Sequence, residues 1–214
     1  MLDVHPPHER MQGWRDFLLH LFTITIGLLI ALSLEGCVEW QHHRHLVHEA
    51  ETSLHAEIKA NALGLKDVAA DIQKQEVALK HDVVILKYII ANGKAPKDQH
   101  MEIAFHYSSF DDVSWKTAQT TGALSHMPYV AAQEYSAIYA QQEELYVAEQ
   151  QAARDVILIL GPFINEDKDD PDPTNGQATA IKEHIEILQG QLILVDSLVT
   201  GLDGQYRKFL TAHP

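Results

Sequence analysis

The chain has 214 residues, 46% of them apolar, and a formal net charge of −14. This apolar fraction is sufficient for a packed core, and the single cysteine, Cys37, excludes an intrachain disulfide. The acidic excess argues against sequence-independent binding of nucleic acid, which needs clustered Lys and Arg. We therefore expect a domain that is held together by packing and has no nucleic-acid partner.

The first predicted element is an apolar helix. Residues 17–34 (FLLHLFTITIGLLIALSL) include no Asp, Glu, Lys or Arg. Eighteen helical residues cover about 27 Å, close to the hydrocarbon thickness of a bilayer. Trp14 and Trp40 flank the run, as aromatic residues do at membrane interfaces. The sequence predicts a short N-terminal segment (1–16), a transmembrane helix (17–38) that binds the lipid bilayer, and an extramembrane domain (39–214).

Polar and small residues inside this helix carry two further predictions. His20, Thr23 and Thr25 are expected to bond to the backbone of their own helix or to lie near the membrane interface. Gly27 and Ala31 form a small-xxx-small pair on which a second transmembrane helix can pack. The alternative for that pair is contact with lipid.

Orientation and processing are inferred from the flanks of the helix. Two arginines, Arg10 and Arg15, precede it and only Arg44 follows closely. This difference favours an inner-membrane protein with a cytoplasmic N-terminus and a periplasmic C-terminal domain, if the source is bacterial. An alternative is a lipoprotein signal ending at Cys37, although the glutamate at position 35 fits such a site poorly.

Helical periodicity continues through the rest of the chain. Apolar spacing predicts that the membrane helix extends to a stop near Asn61–Gly64 and that a second helix ends at Asn92–Gly93. A shorter helix is predicted over 114–124, with Asp111 or Asp112 as its N-cap. A long helix follows from about 128 to 160, bounded by Pro128 and by Gly161–Pro162.

The last helix has the most regular pattern. Ten apolar residues follow one another at intervals of three or four: Ala178, Ile181, Ile185, Leu188, Leu192, Val195, Val199, Leu202, Tyr206 and Phe209. Such a face predicts knobs-into-holes packing, either in the core or against a partner. The predicted fold is all-α: a transmembrane helix that continues into an antiparallel bundle of about four helices.

The juxtamembrane region is rich in histidine. On a helix His42, His45 and Glu49 share one face, and His48, Glu51 and His55 share the next. These residue types at these intervals can bind a metal, although one helix supplies only two or three ligands and needs a partner helix or a second copy. The alternatives are a solvated membrane-proximal face and a pH sensor that gains positive charge near pH 6.

Two other groups of residues are candidate ligand sites. The acidic loop 165–176 has a calcium-like composition (Asp167, Asp169, Asp170 and Asp172), but its spacing does not match an EF-hand, so a solvated link is the favoured interpretation. Aromatic residues of the middle helices can line a ligand pocket or pack in the core: Trp115, Tyr135, Tyr139 and Tyr146. No catalytic or cofactor motif is present, and we expect neither an enzyme nor a cofactor.

The sequence resembles a broad group of uncharacterised bacterial proteins with one N-terminal span. The resemblance rests on IGLLIAL at 26–32 followed by Trp40, and on SWKTAQTTGAL at 114–124 followed by Tyr139. It implies a membrane-anchored helical domain of unknown function and assigns no active-site residues.

Together these features predict a membrane-anchored interaction protein. Its helical domain is expected to bind copies of itself or a larger membrane complex as an accessory subunit, through the face that includes Ile185, Leu188, Leu192, Val195, Val199 and Leu202. The alternatives are a ligand-binding sensor domain coupled to the membrane and metal binding by the histidine face.

Overall fold

A computed structural model describes residues 13–103, 110–161 and 173–214. These residues form five α-helices and no strand, as the all-α prediction requires. The helices are α1 (Trp14–Asn92), α2 (Val113–Thr120), α3 (Ala123–His126), α4 (Tyr129–Leu160) and α5 (Asn175–Ala212). The chain divides into two compact units, Met1–His48 and Glu49–Pro214.

Helix α1 is longer than the sequence predicts. The expected stop near Asn61–Gly64 is wrong, because α1 continues to Asn92. Asn61 is held by tertiary contacts, since its side chain exchanges two hydrogen bonds with the backbone of Asp111. Gly64 is exposed and costs about 1 kcal/mol relative to alanine, which a long packed helix tolerates. The predicted end at Asn92–Gly93 is confirmed, with Gly93 at a φ of 68°.

In the first unit, the apolar stretch of α1 has no packing partner within the described chain. All residues from 13 to 42 are exposed, and the large apolar side chains among them are 40–73% accessible. The hydroxyls of Thr23 and Thr25 donate to the carbonyls of Leu19 and Leu21, at 2.9 and 2.8 Å, which confirms the prediction for these two residues. Ser33 donates to Leu29 in the same way.

The second unit has a continuous apolar core formed by α1, α4 and α5. Its largest cluster contains Leu79, Val83, Ile85, Leu86, Ile89, Ala152, Val156, Ile159, Ala178, Ile181, Ile185, Leu188 and Leu192. All ten residues of the periodic face of α5 are buried. This face is therefore used inside the unit, and it is not an open surface for a partner.

Contacting residues show how the long helices are paired. Asp155 bonds to Gln191, and Glu134 lies 3.1 Å from His213, so the residue order along α4 is the reverse of that along α5. Glu57 on α1 contacts Tyr139 on α4, and the later residues of both helices meet in the core cluster. Helices α1 and α4 therefore run in the same direction. The 36 residues that connect them (93–128), in place of a tight turn, make this arrangement possible.

The shorter elements differ in detail from the prediction. The helix expected over 114–124 is split into α2 and α3 by Gly122, which has a φ of 78°. Helix α4 begins after Pro128 and ends before Gly161, as predicted. Helix α5 begins with a capping box in which Thr174 and Gln177 exchange hydrogen bonds. The candidate calcium ligands at 167–172 lie outside the described residues.

Two of the described helices are long and apolar enough to cross a membrane by length and composition. They are α1, whose apolar window is entirely unburied, and α5, whose window is one-third buried. Only the first of these was predicted from the sequence to span a membrane. The apolar face of α5 packs in the core of its own unit, and this packing accounts for the apolar composition of that helix.

Candidate functional site

A cleft with a volume of about 700 Å³ lies in the second unit, between α2 and α4. Its lining combines aromatic, acidic and amide side chains: Phe110, Asp112, Trp115, Lys116, Gln119, Ser136, Tyr139, Ala140, Gln142, Glu143, Tyr146 and Glu149. This volume is in the range of small-molecule sites.

Three of the four predicted aromatic residues line this cleft. Trp115 and Tyr139 stack nearly parallel, with ring centroids 5.0 Å apart and an interplanar angle of 8°. Tyr146 lies on the same side and is half-exposed. Tyr135 does not line the cleft, because its ring packs on Phe209 of α5 at 5.3 Å. The predicted pocket therefore contains Trp115, Tyr139 and Tyr146, and Tyr135 belongs to the core.

A buried carboxylate positions the aromatic wall. Oε1 of Glu57 accepts a hydrogen bond of 2.6 Å from the Tyr139 hydroxyl, and Oε2 accepts one of 2.7 Å from the backbone N–H of Ser114. Ser114 lies in the first turn of α2, where backbone N–H groups lack helical partners and the helix dipole favours a negative charge. Glu57 thus caps α2 from another helix and fixes the tyrosine at the same time.

This arrangement changes the expected cap of α2. Asp112 is the N-cap residue, but its side chain makes no capping hydrogen bond and forms an ion pair with Lys116 at 2.6 Å. Glu57 supplies the missing acceptor. The N-cap position, Asp112, was therefore predictable from sequence, whereas the residue that caps the helix, Glu57, was not.

Burial and hydrogen bonding keep the nearby tyrosines protonated. Burial, reinforced by the hydrogen bond to the Glu57 carboxylate, raises the pKa of Tyr139 far above its usual value. Burial also raises the pKa of Tyr206, although the nearby Asn61 side chain opposes that change. For Tyr135, burial is the main cause of a pKa of about 12. The Tyr139 hydroxyl donates to Glu57, and all three hydroxyls are poorly suited to act as bases at neutral pH.

Two polar residues at the inner part of the cleft were also missed. Gln142 is 6% exposed: its Nε2 donates to the carbonyl of Asp111 at 3.4 Å, whereas its Oε1 accepts no hydrogen bond from the residues that the structure describes. Glu149 is 3% exposed and also lines the cleft. A sequence signal existed, because both residues occupy core-facing positions between Ile138 and Ala152.

The predicted histidine ligands are placed without a metal cluster. Within the described part of the chain, no three His, Cys, Asp or Glu groups lie close enough to hold a metal ion. His55 is engaged elsewhere, since its Nε2 lies 2.7 Å from the carbonyl of His213 and its ring packs on Phe209. Metal binding by His42, His45, His48 and Glu49 stays a prediction.

The predicted membrane-interface and helix-packing residues are all exposed. Trp14 packs on Phe17, and the guanidinium of Arg44 lies 5.5 Å from the ring centre of Trp40. A methyl group added at Gly27 would meet nothing within 4 Å. The Gly27–Ala31 face is thus open in the single chain. Cys37 is a free, exposed thiol.

A further surface, on α1 in the second unit, was not predicted. Six apolar residues recur every seven positions and are all exposed: Ala56, Leu63, Ala70, Val77, Val84 and Ala91. A second row of exposed residues lies three positions after the first five of these: Lys59, Lys66, Gln73, Lys80 and Lys87. We call these two rows together the outer stripe of α1; it covers about 52 Å at 1.5 Å per residue.

The chain matches no protein-family model, no curated protein and no solved structure at a significant level.

Proposed function

We propose that this protein is a membrane-anchored helical interaction protein and that the outer stripe of α1 is its docking surface for a partner helix. The anchor part of the proposal is supported by the apolar stretch 17–34. Its side chains are exposed on all sides, its hydroxyls bond to its own backbone, and it contains no charged residue. A helix that is apolar on every side and not buried in protein is stable in lipid and unstable in water.

The interaction part of the proposal rests on one observation, the exposed seven-residue period. Leu63, Val77 and Val84 are each more than 60% exposed although they repeat in phase over much of the helix. A strict seven-residue apolar repeat is the pattern that a second helix packs against in a left-handed supercoil. On a helix whose other face is already buried, the repeat has no use within its own unit.

The flanking charges favour one kind of partner. Four of the five residues in the flanking row are lysine, whereas the whole chain has a net charge of −14. A second copy docked in parallel through the same stripe would place lysine opposite lysine, which opposes pairing. We propose that the partner is an acidic amphipathic helix, such as one from another subunit of a membrane complex.

Photo-cross-linking of the full-length protein in its native membrane tests this proposal. A benzophenone amino acid at Val77 should yield a heterologous adduct, whereas the same group at exposed Ile187 on α5 should not. The triple substitution Lys66→Glu, Lys80→Glu and Lys87→Glu should abolish the adduct. An adduct with a second copy of the chain, or equal adducts from both positions, would contradict the acidic-partner proposal.

Small-ligand binding is a second candidate function, and the cleft is the specific observation that favours it. A stacked aromatic pair, a half-exposed tyrosine and a buried amide face one volume of about 700 Å³. Equilibrium dialysis of the full-length protein in detergent against small-molecule mixtures tests this function. Retention of no compound above the level of a Trp115→Leu variant would count against it.

A further inference from the structure

Helix α5 has a second regular surface, on the side opposite its buried face. One row of exposed residues recurs every seven positions: Ala180, Ile187, Leu194, Gly201 and Lys208. A second exposed row lies three positions after the first: Glu183, Gly190, Ser197, Gly204 and Thr211. We call these two rows together the outer face of α5. A seven-residue period of this kind is typical of a helix that packs against another helix.

Two glycines of the outer face are not required by the unit itself. A methyl group added at Gly190 or Gly204 would meet no atom of the described residues within 4 Å, and neither residue has a positive φ. Glycine inside a helix costs about 1 kcal/mol relative to alanine. Its compensating advantage is that a second backbone can approach closely. The two glycines therefore favour a second helix packed on this face.

A second copy of α5 that runs antiparallel to the first matches the outer face in side-chain size. The two-fold axis of such a pair passes midway between Leu194 and Ser197, so that Leu194 of each copy faces Ser197 of the other. At the same register, Ile187 of each copy faces Gly204 of the other. Large residues opposite small ones interdigitate. A parallel copy would instead place isoleucine opposite isoleucine and glycine opposite glycine.

The charges at the two ends of the outer face favour the same orientation. Glu183 lies near its N-terminal end and Lys208 near its C-terminal end, and both are exposed. The antiparallel register places Glu183 of each copy opposite Lys208 of the other, and a two-fold axis forms this pair twice. A parallel copy would place each charge opposite its own kind, which opposes pairing. Side-chain size and charge thus select one arrangement.

We propose that the outer face of α5 binds a second copy of this chain in an antiparallel arrangement, with Ile187 packed on Gly204 and Glu183 paired with Lys208 across the interface. This interaction is separate from the acidic partner proposed above, because it uses another helix. A benzophenone group at Ile187 is then expected to join two copies of the chain. That adduct differs in mass from the heterologous adduct expected from Val77.

Disulfide cross-linking of the full-length protein in detergent tests the register, with Cys37→Ser as the background. The double variant Ile187→Cys with Gly204→Cys should form dimers on mild oxidation, because a disulfide needs Cα atoms within about 7 Å. Each single variant should not, since position 187 of one copy lies about 25 Å along the axis from position 187 of the other. Dimers from Ile187→Cys alone would indicate a parallel pair and overturn the proposal. Absence of dimers from the double variant would overturn it as well.

Analytical ultracentrifugation of variants separates packing from charge. Gly204→Leu occupies the space of Ile187 from the second copy and should weaken dimerisation by about tenfold or more, whereas Gly64→Leu, at an equally open glycine of α1, should not. Leucine favours a helix over glycine, so both variants should fold. Glu183→Lys or Lys208→Glu alone should weaken dimerisation several-fold, and the two together should restore it. Unchanged dimerisation of Gly204→Leu, or no rescue by the double reversal, would contradict this arrangement.

Discussion

The two parts of α1 are both helical, yet their apolar residues are arranged differently. Between residues 17 and 34 apolar side chains surround the helix and none is buried. In the second unit they form a stripe that is buried against α4 and α5, while polar residues occupy most of the rest of the surface. The comparison shows that forming a helix does not decide whether the helix packs in a protein core or is exposed. The distribution of apolar residues around the helix axis decides that.

The largest expected effect is on membrane anchoring. A charge at the centre of a membrane helix costs about 2.5–3.5 kcal/mol, so Ile26→Arg combined with Ile30→Arg should cost about 5–7 kcal/mol. We expect this variant to leave the membrane fraction in carbonate extraction. The matched pair Val77→Arg and Val84→Arg, at exposed positions in the second unit, should remain in that fraction. Release of the unaltered protein by carbonate would refute the anchor.

A pair of identical substitutions tests the difference in burial. Leu86 is 0% exposed and Leu28 is 58% exposed. Leu86→Ala should lower the free energy of unfolding of the helical domain by about 2–5 kcal/mol, and Leu28→Ala by less than about 0.5 kcal/mol. Urea titration of the detergent-solubilised protein, followed by near-UV circular dichroism, measures both. Equal losses would show that the two regions do not differ as described.

Two glycines of the same region should respond in opposite directions. Gly64 lies within α1 with open space around its Cα, so Gly64→Ala should stabilise the domain by about 0.5–1 kcal/mol. Gly93 has a φ of 68°, and Gly93→Ala should destabilise it by about 1 kcal/mol because a side chain strains that conformation. Thermal unfolding of both variants provides the measurement. A destabilised Gly64→Ala variant would indicate that α1 is interrupted there.

The smallest effect concerns a buried carboxylate on α1. Burial raises the pKa of Asp82, while the hydrogen bond from the Glu102 N–H and the nearby His81 oppose the rise. The protonated form is therefore favoured in the folded state, and its contribution to stability is present below the unfolded pKa and lost as the pH rises through the folded value. Asparagine has no ionisable carboxyl group, so the Asp82→Asn variant does not lose this stability as the pH rises. The stability of Asp82→Asn relative to the parent should be greater at pH 7 than at pH 4, and a pH-independent difference would argue against it.

Much of the fold could be predicted because its signals are local. The end of α1 at Asn92, both ends of α4 and the buried face of α5 follow from glycine, proline and apolar periodicity. The failures occur where a local signal competes with a tertiary contact. Asn61 was interpreted as the end of a helix, but its side chain bonds to Asp111, fifty residues later.

The candidate site was only partly predictable for the same reason. Trp115, Tyr139 and Tyr146 could be proposed together because they are aromatic residues on two predicted helices. Glu57 could not be added, since its partners are 57 and 82 positions away in sequence. A polar residue at a core-facing position shows that a partner exists, but it does not identify that partner.

The sequence by itself determined which segments are helical and which faces are apolar, because both depend on residues within one or two turns of each other. Only the tertiary structure decided how those faces are used. It placed the periodic face of α5 inside its own unit, left the outer stripe of α1 exposed, and brought Glu57 to the start of α2. These outcomes depend on contacts between residues that are distant in the chain, which no local pattern specifies.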